Sequence, residues 1–150
     1  LWTDYTQDFK KTPSQLKAAY GTPFYEDEET LYFYQYDEWM DMVAFTLDPN
    51  TSETYSISAF LNSTCDWNTA LGFLDQKYYY YEAGSDESAN WYAFTNKSTL
   101  DESNIGITFD GEYGCITYVD LTYNYTRTRS FSEKKAFCFN KESLEIKRLR

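Results

Sequence analysis

The chain has 150 residues, the length of one ordinary domain, and 42% of them are hydrophobic, enough for a substantial core. Its 24 acidic and 13 basic residues give a net charge of −11, which repels nucleic acid and anionic membrane surfaces. Histidine, the commonest general base, metal ligand and pH switch, is absent. Because of the negative net charge we expect no nucleic-acid partner. No apolar run approaches the length of a membrane span, so we expect no integral membrane segment.

The clearest local signal near the N terminus is that of a short helix. Thr12 is suited to the N-cap, Pro13 to the first helical position and Gln15 to the third position of a capping box. Gly21 supplies a left-handed end, and Pro23 prevents continuation. We predict a helix of about two turns between these signals.

Strand patterns follow this helix. Leu31 and Phe33 alternate with tyrosines, and turn residues separate the successive apolar runs. Such period-two alternation is typical of an antiparallel meander with one buried face. The predicted strands are residues 30–36, 42–47 and 54–61.

The same order then recurs. Asp66 is suited to cap a second helix with apolar residues at helical spacing. The segments Phe45-Thr46-Leu47-Asp48 and Ile107-Thr108-Phe109-Asp110 end alike and lie 62 residues apart. A repeated order at one period is typical of a duplicated supersecondary unit, although one coincidental match in an ordinary α+β domain is the alternative. Further strands are predicted at residues 77–82, 90–95, 105–109 and 114–121.

These patterns predict a single domain over residues 1–150 of the α+β class. Two tandem units, each a helix plus a three-stranded antiparallel meander, would form one curved sheet with helices on one face. The first unit covers about residues 12–61 and the second about residues 65–121. A basic C-terminal segment, residues 122–150, completes the chain.

Four segments carry a resemblance to a known family: Thr12-Pro13-Ser14-Gln15-Leu16-Lys17, Tyr20-Gly21-Thr22-Pro23, the aromatic strand at residues 31–36, and Phe45-Thr46-Leu47-Asp48. They resemble the SmpA/OmlA (BamE-like) outer-membrane lipoprotein module. Duplicated, that module is similar to the β-lactamase-inhibitor-protein (BLIP-like) fold, in which two helix-plus-sheet units form a concave binding face. The second unit departs from the pattern, with Leu74-Asp75-Gln76 where the first has Tyr20-Gly21-Thr22.

The resemblance implies a non-catalytic role in envelope assembly or protein inhibition, and assigns no individual binding residue. It also implies an extracytoplasmic location, in the periplasm or at the outer cell surface. The chain begins at Leu1 rather than Met, so we interpret it as a segment from which a targeting signal has been removed. A lipid anchor upstream of residue 1 belongs to the same hypothesis.

The C-terminal segment differs in charge from the rest. Residues 122–150 hold eight of the 13 basic residues and only three acidic ones, which gives +5 against −16 for residues 1–121. We favour a surface segment lying on its own acidic body, since exposed charge is easily screened. A functional basic arm for an acidic partner is the alternative.

The sequence does not favour catalysis. Without histidine, Ser–His and Cys–His pairs are excluded. Ser14-Gln15-Leu16-Lys17 fits Ser-x-x-Lys, but Ser132-Glu133-Lys134-Lys135 fits it as well, and no companion motif accompanies either. A glycosidase-like carboxylate pair is a weaker alternative, because the acidic residues fall mostly in turn-like runs. We predict no enzymatic activity.

We also predict no cofactor and no metal site, because no calcium loop occurs and nitrogen ligands are missing. Cys65 precedes the second helix and Cys115 lies in the last strand of the same unit. A disulfide between them would suit an exported domain, and two buried thiols are an equal alternative. Cys138 would remain unpaired.

The tyrosines are the strongest candidates for binding. With 16 Tyr, 11 Phe and 4 Trp, the chain has more amphipathic rings than a core easily absorbs. If Leu31 and Phe33 face the helices, the tyrosines of that strand face the other side, where such rings favour recognition. The alternative is that these rings pair across neighbouring strands and only stabilise the sheet. The predicted binding residues are Tyr32, Tyr34, Tyr36, Trp39, Tyr79, Tyr81 and Tyr92.

We therefore predict a non-catalytic extracytoplasmic binding or scaffolding protein that recognises a protein partner through an aromatic-rich open sheet face. A carbohydrate-binding module that stacks sugars on the same rings is the alternative.

Overall fold

The computed structural model describes residues 2–35, 37–84 and 91–123. Over these residues the chain is an α+β protein with one eight-stranded sheet and two α-helices. Tyr36, Cys138 and the basic segment from residue 124 onward lie outside the described residues. The elements in chain order are a 3₁₀ turn η1 at Tyr5–Asp8, α1 at Pro13–Tyr20, β1 at Tyr25–Glu26, β2 at Thr30–Tyr34, β3 at Met40–Leu47, β4 at Thr54–Leu61, α2 at Trp67–Lys77, β5 at Tyr79–Ala83, β6 at Trp91–Thr95, β7 at Ile105–Asp110 and β8 at Cys115–Asp120.

The strands lie in the order β1-β2-β3-β4-β8-β7-β6-β5, and every neighbouring pair is antiparallel. Four strands follow each helix along the chain, so neither unit is the predicted three-stranded meander. In the second half these are the four strands predicted from alternation, and in the first half the two-residue β1 is added to the three predicted strands. The two meanders meet where β4 pairs with β8, at the centre of the sheet. The duplication itself stays a prediction.

Both helices begin and end as their local chemistry dictates. The Thr12 backbone N–H donates to the Gln15 side-chain oxygen at 3.0 Å, and Pro13 opens α1. Gly21 ends it with a φ of 87°, in the region that favours glycine. The Asp66 carboxylate caps α2 by accepting from the Thr69 N–H at 2.8 Å.

The main core lies between the helices and one face of the sheet, which we call the helix-covered face. Leu16 of α1 and Leu74 of α2 are fully buried in a single apolar cluster. The strands contribute alternate residues to the same cluster, because successive strand side chains point to opposite faces. They include Leu31, Phe33, Phe45, Ile57, Phe94, Ile107, Phe109, Ile116 and Tyr118.

The N-terminal segment joins the two helices, which the sequence patterns do not predict. Trp2 stacks on Phe73 of α2, with ring centroids 4.5 Å apart. The buried Tyr5 packs against Tyr20 of α1. Asp8 is fully buried and accepts hydrogen bonds from the Tyr20 hydroxyl and the Lys11 ammonium. A buried carboxylate is tolerated because both donors are in place.

The opposite face of the sheet, the helix-free face, carries a second and smaller cluster. Its buried members are Tyr32, Met42, Ala44, Phe60 and Cys115. Phe24, Tyr25 and Tyr113 pack around them. Small polar side chains continue this face toward β7, where Thr108 lies opposite Thr117 of β8 in the strand register.

Candidate binding site

The predicted binding residues do not form one surface. Tyr34, Tyr79 and Tyr81 are exposed, Tyr32 is buried, and Tyr36 lies outside the described residues. Trp39 and Tyr92 are half-buried against the helix-covered core. The structure therefore divides the predicted set among both edges of the sheet and both of its faces.

Tyr92 corrects the prediction that it faces away from the helices. It lies opposite Phe109 of β7 in the strand register, and the two rings are stacked at 6.4 Å on the helix-covered face. Strand alternation then assigns its neighbour Ala93 to the other face. Trp39 likewise packs toward α2, with its ring centroid 5.9 Å from that of Phe73. Both residues therefore belong to the packing between sheet and helices.

At the β1–β2 edge, aromatic side chains cover one another. The Phe24 ring stacks on Tyr34, with centroids 4.1 Å apart, and makes an edge contact with Tyr32. Tyr25 adds a second edge contact to Tyr32. As a result Tyr32 is only 8% exposed, whereas Tyr34 at the strand end is 48% exposed.

At the other edge, β5 presents a run of exposed tyrosines, which we call the tyrosine edge and define as Tyr79, Tyr80 and Tyr81. Their exposed fractions are 53%, 58% and 41%. Tyr80 lies opposite Phe94 in the register and makes an edge contact with its ring at 6.0 Å, so it shares the helix-covered side. Tyr79 lies opposite Thr95 and belongs to the other side. Rings are thus presented on both sides of one strand.

A local irregularity widens this edge. The pairing between β5 and β6 shifts register between Tyr80 and Glu82, which leaves Tyr81 as the extra residue of a β-bulge. Bulges re-aim side chains and interrupt regular pairing. Here the bulge explains why three consecutive tyrosines are all exposed, whereas a regular strand alternates between its faces.

Tyr80 is the residue that the sequence-based prediction missed. Its signal is the run Tyr78-Tyr79-Tyr80-Tyr81, which shows no apolar–polar alternation and so does not assign any ring to one face.

Trp67 of α2 is an exposed large residue outside the tyrosine edge, and its neighbours hold it in place. Its indole lies against Gly111, where an added Cβ would fall within 3.0 Å of the ring, and makes an edge contact with Phe109.

The end of α2 fixes the base of the tyrosine edge. The Tyr78 hydroxyl donates to the Asp4 carboxylate at 3.0 Å, and the Lys77 ammonium forms an ion pair with the same carboxylate. Burial raises the pKa of Tyr78 to about 12, and a side-chain hydrogen bond with Thr6 partly opposes that rise. The strand therefore starts from an anchored residue and becomes exposed immediately after it.

The two edges are far apart. Six strand spacings separate β2 from β5, which corresponds to on the order of 30 Å at about 4.8 Å per strand. A single small ligand does not reach both Tyr34 and Tyr79. The tyrosine edge is the larger of the two exposed aromatic groups, and it is our candidate binding site.

A cleft of about 300 Å³ lies at the end of the sheet, beside the tip of the β3–β4 hairpin. The Tyr55 and Tyr123 rings stack there at 4.2 Å with an interplanar angle of 11°. Asp48 lines the cleft, and hydrogen bonds from Tyr123 and the Asn50 N–H lower the pKa of its carboxyl. Lys10 and Asp120 also line it. The two rings are stacked on each other, so their faces are partly occupied.

The structure does not contain the Cys65–Cys115 disulfide. The two side chains belong to clusters on opposite faces of the sheet and are not bonded to each other. Strand register is the reason, since Cys115 precedes Ile116, which faces the helices. Burial raises the pKa of the Cys65 thiol to about 11, and the nearby Asp66 and Asp37 add to the rise.

Across the described ranges, no three acidic or cysteine side chains are grouped as metal ligands would be. In that same part of the chain, neither helix is long and apolar enough to cross a membrane. Comparison with protein-family models, with curated proteins and with solved structures finds no match.

Proposed function

We propose that this chain is a non-catalytic binding protein that recognises a protein partner through the tyrosine edge. The observation that carries the proposal is the exposure of Tyr79, Tyr80 and Tyr81 on β5, the last strand of the described sheet. Tyrosine presents a large, rigid ring with few rotatable bonds, together with a hydroxyl, and is enriched at protein interfaces.

The position of these rings favours an extended partner segment. An edge strand offers backbone N–H and C=O groups to a strand that is added beside it. Tyr80 on one side and Tyr79 on the other would flank such a strand, because they lie on opposite sides of β5. Main-chain hydrogen bonds would supply affinity, and the rings would supply specificity.

The charge of the body favours a basic partner. Residues 1–121 carry a net charge of −16, which attracts cationic segments and repels acidic ones. An extracytoplasmic setting, with a scaffolding or inhibitory role of the SmpA/OmlA or BLIP-like kind, is part of this proposal and is supported by the sequence resemblance. A sugar ligand, which would stack on the same rings without adding a strand to the sheet, is the competing outcome of the test.

Site-specific photo-crosslinking tests the proposal. A photoreactive phenylalanine analogue is placed at Tyr80 in the full chain, and a second chain carries it at Tyr34, on the opposite edge. Illumination in the cells that make the protein should give a protein adduct from position 80 that position 34 does not give. The captured partner is then purified and titrated against the unmodified chain.

The matched variants are Tyr79→Ser with Tyr81→Ser at the tyrosine edge and Tyr34→Ser as control. All three rings are exposed, so urea unfolding midpoints should stay near that of the wild type. We expect the double variant to weaken partner binding by about tenfold or more, as loss of interface hot spots does, and the control to change it by less than about twofold. Equal effects of both, or binding only on a glycan array, would refute the proposal.

A further inference from the structure

The helix-free face contains a row of small side chains that crosses five strands. In the pairing register, Ala44 of β3 lies opposite Ser58 of β4, Ser58 opposite Thr117 of β8, Thr117 opposite Thr108 of β7, and Thr108 opposite Ala93 of β6. We call this row the small-residue band. It extends over roughly 19 Å, four strand spacings of about 4.8 Å. The Ser58 and Thr117 hydroxyls are hydrogen-bonded at 3.0 Å.

The band is buried although both helices lie on the other face. None of its five residues is more than 6% exposed. Among the described residues, the apolar side chains that pack on this face beside the band are Phe24, Tyr25 and Tyr113 near β2–β4, and Trp91, Leu100 and Leu121 near Ala93. An antiparallel sheet with one covered face usually leaves the other face to water. Short side chains this deeply buried indicate that chain lies over them.

Two polar groups indicate the chemistry of what covers the face. The Ser56 hydroxyl, next to the band on β4, is fully buried and has no hydrogen-bond partner. Buried polar atoms are normally paired, so the covering segment must bring donors or acceptors close to it. Asp110 of β7, which alternates with the core residue Phe109, is only 5% exposed on the same face. Its carboxylate accepts a hydrogen bond from the Glu112 N–H at 3.0 Å, and its negative charge is complementary to a basic segment.

The length and charge of the remaining chain identify the occupant. Beyond the described residues lie residue 1, residue 36, residues 85–90 and residues 124–150. Residues 85–90 join the neighbouring strands β5 and β6, so their two ends lie at the same end of the sheet, and only residues 124–150 have the free length to cross the band. Its 27 residues would span about 40 Å even if fully helical. It begins directly after Tyr123, next to the central strand β8.

The composition of this segment complements the face. It contains eight basic and three acidic residues, a net charge of +5 against −16 for the rest of the chain. It also carries three phenylalanines, Phe131, Phe137 and Phe139, which are large enough to fill the space above alanine, serine and threonine. We propose that residues 124–150 dock across the small-residue band, so that the chain's own basic C terminus occupies the sheet face opposite the helices.

Thiol labelling in the full chain tests this docking. The reporter is Thr117→Cys in a background in which Cys65, Cys115 and Cys138 are replaced, and the exposed Ser98→Cys in the same background is its matched control. We expect the thiol at position 117 to react at least about 100-fold more slowly than the one at position 98, because the band is buried. Adding Phe137→Asp and Phe139→Asp should raise the rate at position 117 about tenfold or more and leave position 98 unchanged.

A second measurement covers the case in which those aspartates perturb folding. In the same background, Thr117→Cys is combined in turn with Phe131→Cys, Phe137→Cys or Phe139→Cys, and mild oxidation should form an intramolecular disulfide in at least one monomeric chain. The proposal is overturned if the C-terminal substitutions leave the labelling rate at position 117 unchanged and no such disulfide forms. It is equally overturned if protection rises with protein concentration, which would identify a second copy of the chain as the cover.

Discussion

The two halves of the sheet share an order of elements but end in different edges. In the first half, Gly21 turns the chain away from α1, and the short β1 follows after Phe24. In the second half, the extended residue Tyr78 leads directly from α2 into β5. The first edge is covered by its own aromatic stacking, and the second exposes three tyrosines.

The difference shows that a few residues after a helix decide what an edge strand does. Phe24 follows the turn at Gly21, stacks on Tyr34 and makes an edge contact with Tyr32. After α2 the chain has no such turn, and a bulge at Tyr81 follows instead. An irregular edge strand with three exposed rings presents more aromatic surface than an edge whose rings stack on one another.

The largest expected effects test whether both halves share one core. Leu16 of α1 and Leu74 of α2 are both fully buried in the same cluster. Leu16→Ala and Leu74→Ala should each lower the free energy of unfolding by about 3 kcal/mol, as cavity-forming substitutions do. Urea unfolding followed by tryptophan fluorescence and circular dichroism measures both. Two separated transitions in either variant would show that the halves unfold independently.

A smaller effect is expected where the halves differ, at the end of α1. Gly21 has a φ of 87° and a ψ of −148°, which side chains adopt only with strain. Gly21→Ala should destabilise the protein by about 2 kcal/mol and loosen the Phe24–Tyr34 stack.

The matched control for that change is Gly72→Ala in α2. Gly72 lies in the exposed interior of the helix with open space around its Cα, so alanine there should stabilise by up to about 1 kcal/mol. The same unfolding measurement gives both values. If the two alanine variants were equally stable, the turn at Gly21 would not be what distinguishes the first edge.

The elements themselves could be predicted from the sequence because their signals are local. The capping residues and Gly21 define α1, and alternation defines β2, β3 and β4 to within two residues. The predicted strand at residues 54–61 has the observed bounds. The strand β1 was not predicted, because two residues are too few to show an alternation of apolar and polar side chains.

The faces and the site could be predicted only in part. Alternation states which residues of a strand share a side, but which side meets the helices depends on pairing register. Tyr92 and Cys115 were therefore assigned to positions that the register does not support. The exposure of β5 depends on its place at the end of the strand order, which is set by how the two meanders meet at β4 and β8. No local pattern carries that information.

The smallest expected effect compares one tyrosine from each half at high pH, the buried Tyr32 and the half-buried Tyr78. Burial raises the pKa of Tyr32 to about 12, with Asp27 adding to the rise, and burial raises that of Tyr78 to about 12 as well. The ordinary value is about 10, so between pH 10 and 12 the unfolded chain releases protons that the folded chain retains. Stability is therefore fully present below about pH 10 and falls as the pH rises through this window.

Tyr32→Phe and Tyr78→Phe should each remove about 1 kcal/mol of this loss, a value reduced from the full pKa shift because both phenols keep some contact with solvent. Urea midpoints at half-unit steps from pH 7 to 12 measure it. Between pH 7 and 9 the difference in urea midpoint between each variant and the wild type should stay constant. Above pH 10 the midpoint of the wild type should fall more steeply than that of the variant. A gap that stays constant to pH 12 for Tyr32→Phe but not for Tyr78→Phe would mean that the aromatic cover over the first edge admits water, and that the two edges differ less than their stacking indicates.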